Sequence, residues 1–147
     1  MSRVRPGLSV SIVVYRSDEA QLRTTVASLA RACRELQAGL GVSARLTVVD
    51  NAAAEAPLVA VPAGAAERGA FDAVRYLPMN GNPGYGAAHN RALDEDCGEY
   101  HLVLNPDVEI DPQALCAGIG YLRQHPEVAG VVPEGRGGQG RESGSDD

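Results

Sequence analysis

Along the first fifty residues the apolar positions follow two different periods. Leu8 to Tyr15 (LSVSIVVY) is rich in β-branched residues and turns continuously apolar at its end, the pattern of a strand covered on both faces. The period then lengthens. Leu22, Val26, Leu29, Cys33 and Leu36 recur at spacings of four and three, one apolar face of a helix that starts at Ser17-Asp18-Glu19 and ends near Gly39. Leu46 to Val49 (LTVV) returns to a strand pattern and delivers Asp50-Asn51 at its carboxyl end. Strand, helix and strand in that order make a βαβ unit, so the sheet is predicted to be parallel.

Residues 52–70 are Ala-rich and broken by Pro57, Pro62 and Gly64, and periodicity does not place a helix among them. Ala73 to Pro78 (AVRYLP) reads as a third strand, followed by the Gly-rich loop Asn80 to Gly86 and a helix over Ala87 to Asp96. Tyr100 to Leu104 is a fourth strand. Asp111-Pro112 opens a helix carrying Leu115, Ile119 and Leu122, and Val128 to Val132 is a candidate fifth strand. The expected fold is therefore an α/β, doubly wound, mostly parallel sheet of about four or five strands. It occupies residues 1–133. Residues 134–147 (EGRGGQGRESGSDD) hold five glycines and no apolar side chain, so they are expected to form a disordered tail.

Composition narrows the chemistry. The 147 residues suit one domain, and the net charge of −6 argues against nucleic acid as a partner, because that binding is driven by basic patches. All thirteen basic residues are Arg, which excludes a P-loop lysine, a Schiff base and a pyridoxal attachment site. Cys33, Cys97 and Cys116 are odd in number and far apart, with neither a disulfide framework nor zinc spacing. No apolar run is long enough to span a membrane. The cytoplasm is the expected compartment, with a peripheral position at the inner face of the membrane left open.

In an open parallel sheet, ligands sit beyond the carboxyl ends of the strands, where the strand order reverses. Tyr15-Arg16-Ser17, Asp50-Asn51, the loop NGNPGYG and Asn105-Pro106-Asp107 all fall there. A dinucleotide fingerprint is absent, since YRSDEA stands where G-x-G-x-x-G is required, and an EF-hand loop counted from Asp107 would need Gly where Pro112 stands. Asp107, Glu109 and Asp111 repel one another unless a cation sits among them. Mg²⁺ or Mn²⁺, bound by one or two carboxylates and by phosphate oxygens, matches so sparse an acidic strand end.

SIVVYRSDEAQLRTTVASL, LTVVDN, NGNPGYGAAHNRAL and YHLVLNPDVEIDPQAL together resemble the nucleotide-binding half of family-2 glycosyltransferases of the GT-A fold, in particular their rhamnosyltransferase-like branch. The resemblance covers about residues 8 to 132, with four blocks in the expected order. It implies a nucleotide-diphosphate-sugar donor, a divalent metal, and transfer of a sugar such as rhamnose to a saccharide or lipid-linked acceptor. Tyr15 and Asp50 inherit contacts to base and ribose, Asn51, Asn80 and Gly84 belong to the nucleotide-binding set, and the family pattern sends Asn90 to the diphosphate. Asn105-Pro106-Asp107 stands in the place of the D-x-D motif, with Asn105 replacing the first Asp and Asp107 as the metal ligand. Relatives usually continue into an acceptor half that brings the general base. The catalytic residue is therefore left unassigned, and the chain is expected to associate with itself or with a partner chain.

Plainer readings stand beside these. Asp111 before Pro112 suits a helix cap, Ser17 suits a cap better than a nucleophile, and Glu109 is as well explained as a solvated rim residue. His89, His101 and His125 have no metal spacing and read as surface or packing residues. A non-catalytic nucleotide-sugar-binding or partner module is the alternative to a transferase.

Overall fold

A computed structural model of the protein describes residues 4–16, 18–55, 58, 61–128, 130 and 135–136. Four strands, β1 (Val4–Val14), β2 (Ala44–Asp50), β3 (Ala73–Pro78) and β4 (Cys97–Leu104), pair in parallel in the order β3-β2-β1-β4. The chain turns one way from β1 to β2 and β3 and crosses back to β4, so the order reverses at β1. The α/β parallel sheet expected from the sequence is thus present with four strands.

Alternation along β1 and β2 sorts the helices. Leu8, Val10, Ile12 and Val14, with Ala44, Leu46 and Val48, share one core with Leu22, Val26, Leu29, Cys33 and Leu36 of helix α1 (Glu19–Leu40). These are the helix positions that the sequence periodicity marks. Fully burying each such Leu or Val stabilises the fold by about 1.5–3 kcal/mol relative to leaving it exposed. Short helix α2 (Ala65–Arg68) and helix α4 (Ala114–Gln124) lie beside α1, α4 through Leu115 and Ile119. Helix α3 (Tyr85–Glu95) covers the other face, where Ala88 and Ala92 meet Val13 and Val49. Helices on both faces make the sheet doubly wound.

Local signals explain the boundaries. Asp18 caps α1, its Oδ1 accepting from the Ala20 and Gln21 N–H groups at 2.9 and 3.4 Å; Ser17 lies outside the described residues. The helix continues past Gly39 to Leu40, because Gly41, at φ +68°, is the residue that adopts the left-handed closing conformation. Strands β2 and β4 begin earlier than their apolar runs, since backbone pairing continues where side chains are polar or small: Cys97 and Gly98 pair with Val4 and Arg5. Gly98 tolerates no side chain there, as a Cβ would sit 2.6 Å from the Ser9 nitrogen. Helix α3 starts at Tyr85, two residues before the predicted Ala87, because the turn at Gly84 (φ +97°) sends the chain directly into it.

After β4, Glu109–Ile110 (β5) pairs antiparallel with Gly135–Arg136 (β6), a small second sheet that apolar pattern does not reveal. Two residues of the expected tail are therefore paired; residue 134 and residues 137–147 lie outside the described set. Of the candidate fifth strand, Val128 and Gly130 are not in a strand, and 129, 131 and 132 lie outside the described residues.

At the amino end of the sheet Asp96 is buried among arginines. Its Oδ2 accepts from Arg45 Nε at 2.7 Å and Arg75 Nη1 at 3.4 Å, and Arg5 stands 3.6 Å from Oδ1. Burial pushes the Asp96 carboxyl up, but the Arg45 hydrogen bond and the charges of Arg45, Arg5 and Arg75 outweigh it and hold the pKa below the ordinary carboxylate value. Asp96→Ala leaves the Arg45 guanidinium buried without its partner and is expected to cost about 3–5 kcal/mol, measured by urea unfolding. A depressed pKa contributes stability that is present above the ordinary carboxylate pKa of about 3.9 and lost as pH falls through the lower folded value. The acid limb of the pH–stability curve should therefore be shallower in Asp96→Asn than in the parent.

Candidate functional site

The carboxyl ends of β1, β2 and β4 meet the amino end of α3 at the place where strand order reverses. Val14 hands the chain to Tyr15 and Arg16, both exposed, and Arg16 is the one non-glycine residue at positive φ (53°) among those described. Its guanidinium pairs with Glu55 and lies 5.8 Å from the Tyr15 ring centroid. A left-handed conformation at an arginine is sterically costly and is retained only where its surroundings dictate it.

The two residues ending β2 have different fates. Asp50 is only 1% exposed, and its carboxylate is engaged by the protein: Oδ1 accepts from the Ala52 N–H at 2.9 Å, and Oδ2 accepts from the Tyr76 hydroxyl at 2.7 Å and the Leu58 N–H at 3.2 Å. Removal from water and the Asp50 carboxylate together push the Tyr76 phenol up to about 12. Asn51, 4% exposed, donates from Nδ2 to the Gly84 carbonyl at 3.3 Å, while its Oδ1 is buried with no partner among the described residues. That orphaned acceptor sits at the start of α3.

No side chain caps α3, whose first-turn N–H groups follow Gly84; Gly81, Gly84 and Gly86 have open space where a Cβ would stand. The helix dipole and free N–H groups make such an end favourable for negative charge. Tyr85, the first helical residue, donates its hydroxyl to Asn105 Oδ1. Burial and the Asp107 charge both raise the Tyr85 phenol pKa, so the carboxylate acts on this same group. Asn105, Pro106 and Asp107 form the turn that leaves β4, pinned from α1 by Thr25 Oγ1 donating to the Pro106 carbonyl at 2.8 Å.

Asn51, Gly84, Asn105 and Asp107, with Tyr85 between them, thus form a connected series. Tyr15 is exposed after β1, Asp50 is enclosed next to Asn51, and Asn80 and Asn90 are exposed side chains outside the series. Asp111 Oδ1 accepts from the Gln113 N–H at 2.9 Å, as its reading as a structural residue at a helix start expects, although α4 begins only at Ala114. Glu109 is exposed on β5. His89 and His101 are drawn inward to a shared hydrogen-bonded array; His125 stacks on Tyr121 at 4.0 Å. Tyr85, Arg16 and Glu55 are not among the individual site residues expected from the sequence. The first two stand inside motifs already recognised, but nothing in the spacing links Glu55 to Arg16.

A divalent cation fits Asp107, an exposed carboxylate that accepts no hydrogen bond from the described residues. Among those residues no group of three or more His, Cys, Asp or Glu is placed to hold a metal. An ion there would draw most of its ligands from phosphate oxygens and water, the habit of Mg²⁺.

A model of the glycosyl transferase family 2 domain matches residues 9–146. The chain belongs to glycosyl transferase family 2. No curated protein matches it. Solved structures that it resembles include S. aureus TarS (19% identity, TM-score 0.59), TarS 1-349 (22%, 0.62) and TarS 1-349 in complex with UDP-GlcNAc (21%, 0.59). Each match covers 82% of this chain but only 20%, 33% and 32% of the TarS chains respectively, so the protein spans a third or less of their length. At these identities the likeness establishes the fold. Among the described residues no helix is long and apolar enough to cross a membrane.

In this family-2 domain the Asp50 carboxylate organises the turn after β2. Asp50→Ala strands the Leu58 and Ala52 N–H groups and the Tyr76 hydroxyl, at about 1–3 kcal/mol for each buried group that water does not reach. Denaturant titration should show the loss, and a stability within about 0.5 kcal/mol of the parent would remove Asp50 from this role.

Proposed function

We propose that this family-2 domain binds a nucleotide-diphosphate-sugar at the carboxyl ends of β1 and β2, with the diphosphate toward the amino end of α3 and a divalent cation held by Asp107. The observation that carries the reading is the series Asn51–Gly84 and Tyr85–Asn105 beside exposed Asp107, which joins the ends of β2 and β4 to an uncapped helix start. TarS 1-349 was solved with UDP-GlcNAc, and a nucleotide-sugar is the ligand class that the present site is suited to take.

Each group has a physical task. The N–H groups of the first α3 turn favour the diphosphate charge, and Asn51, bonded to the Gly84 carbonyl, fixes that helix start against the end of β2 within the nucleotide-binding set that the family pattern implies. Tyr15 offers an exposed ring to the base, with Arg16 held beside it by Glu55. Asp50 contributes by fixing the 51–55 turn. Asn80 and Asn90 lie on the exposed rim, within the nucleotide-binding set that the family pattern implies. The cation, once bound, supplies positive charge to the diphosphate leaving group. An acceptor hydroxyl must lose a proton to a base as it attacks the anomeric carbon.

Because the chain spans a third or less of the TarS structures, a second reading is kept: donor binding without turnover, with acceptor site and base supplied by further chain or by a partner. The donor sugar, rhamnose included, is decided by a panel of dTDP-, UDP- and GDP-sugars. Calorimetric titration of that panel with and without Mn²⁺ is expected to show metal-dependent binding. Asp107→Asn should weaken it at least tenfold, about 1.4 kcal/mol, with circular dichroism unchanged. Parent affinity in the folded variant, with metal still required, removes Asp107 from the site. Released nucleotide and glycosylated product, scored separately, divide transferase from binding module.

A further inference from the structure

Helix α3 rests on a small apolar contact. Its buried residues are Ala88, His89 and Ala92, against nine for α1, and the buried apolar side chains beneath it are Val13 and Val49. A hydrogen-bonded array supplements that contact. His89 Nδ1 lies 2.6 Å from Ser11 Oγ; Ser11 Oγ lies 2.8 Å from His101 Nε2; His101 Nδ1 lies 2.6 Å from Ser9 Oγ, which accepts from the Gly98 N–H at 2.8 Å. The array runs from α3 across β1 to β4.

Counting protons restricts its states. Ser11 has one proton and two ring nitrogens within reach, so it donates to one ring and accepts from the other. With both rings neutral, two arrangements satisfy the array. In one, His89 donates to Ser11, Ser11 to His101, and His101 to Ser9. The other reverses every bond and places the His89 proton on Nε2, a nitrogen that is buried without a partner among the described residues. One added proton can be carried. With two, both rings donate to Ser11 and its own proton has no acceptor.

A second connection runs alongside. Tyr85 stands one turn before His89, their rings edge to face with centroids 4.5 Å apart, and its hydroxyl reaches Asn105, four residues beyond His101 on the same chain segment. Helix α3 is thereby held to the β4 segment at two points, His89 to His101 through Ser11, and Tyr85 to Asn105.

We propose that His89 is a positioning residue of the donor site: tied through Ser11 to His101, it seats the first turns of α3 and so holds Tyr85 against Asn105 beside Asp107. The inference rests on the donor-site reading for its functional consequence, whereas the seating itself is independent of it. Burial pushes both rings down, His101 to about 4, with His89 adding to the shift and Asp96 opposing it. The other charged groups involved are Arg45 of β2, paired with Asp96, and Asp107, which acts on Tyr85. Imidazoles with depressed folded pKa values contribute stability that is full above the unfolded value near about 6.5 and lost as pH falls toward the folded values. The seat should therefore loosen from about pH 6.5 toward 4.

The test uses the full chain labelled with ¹⁵N-histidine. At pH 7 the ring nitrogen shifts should report His89 and His101 neutral, each in one tautomer, and a nuclear Overhauser contact should join the Tyr85 ring to the Asn105 side-chain amide. His89→Leu and Ser11→Ala should remove that contact with secondary structure intact, and His89→Leu should weaken nucleotide-sugar binding at least tenfold. His89→Asn, which keeps a hydrogen-bonding group where Nδ1 stands but cannot take up a proton, should restore the contact and retain it to lower pH than the parent. Cationic or tautomer-averaged rings at pH 7, or an unchanged Tyr85–Asn105 contact in either folded variant, would overturn the proposal. Should the parent bind no nucleotide-sugar, the donor-site reading fails, while ring shifts and the Overhauser contact still decide the seating. If His89→Leu does not fold, Ser11→Ala and the parent's ring shifts decide it.

Discussion

Everything in this domain depends on β1 being paired on both edges while presenting unlike faces. Its hydrogen bonds to β2 and β4 make it one of the two inner strands of the sheet, and its alternation puts Leu8, Val10, Ile12 and Val14 on one side, Ser9, Ser11 and Val13 on the other. The apolar side takes a long helix and most of the core. The opposite side accepts α3 through two valines and a hydrogen-bonded array. Strand order reverses at β1, so the same strand that divides the core also brings the carboxyl ends of β1, β2 and β4 to the start of α3.

That asymmetry determines how much was legible in sequence. The α1 face announces itself, because five apolar residues at helical spacing have one physical explanation, and all five are buried. The parallel order followed from strands alternating with helices. The α3 face is quieter, since Ala, Ser and His are as common on surfaces as in interiors; only a strand whose serines alternate with fully buried aliphatics hints that a polar set is enclosed. The β5–β6 pairing was invisible for a different reason. Two-residue strands carry no period, and Gly135–Arg136 sits in a stretch whose composition argues against order.

The site shows the same division between type and placement. Motif spacing identified Asp50 and Asp107 alike as carboxylates at strand ends, and in a sequence they are equivalent. In the fold one is enclosed and accepts three hydrogen bonds, while the other stands exposed on a turn. The turns that leave the two strands account for the difference. After β2 the chain folds back so that the Ala52 and Leu58 N–H groups converge on Asp50; after β4 Pro106 cannot donate, its carbonyl is taken by Thr25, and the next side chain is turned outward. A carboxylate saturated by protein donors is a structural element, and one left to solvent is available to a cation.

Helix α3 is the element where these constraints meet. Its amino end has no cap, its seat is small, and its first residue reaches the turn that bears Asp107. A helix held mainly by apolar burial would give little orientational control, because such contacts are non-directional. Hydrogen bonds at Ser11 and Asn105 specify both distance and angle, so two of them, one helical turn apart, define rotation as well as position. That is a reason for a small domain to place buried polar groups beneath this helix while leaving α1 to conventional packing: α1 needs only to be attached, whereas in the proposed donor site α3 has to present its N–H groups and Tyr85 at one place relative to the end of β4.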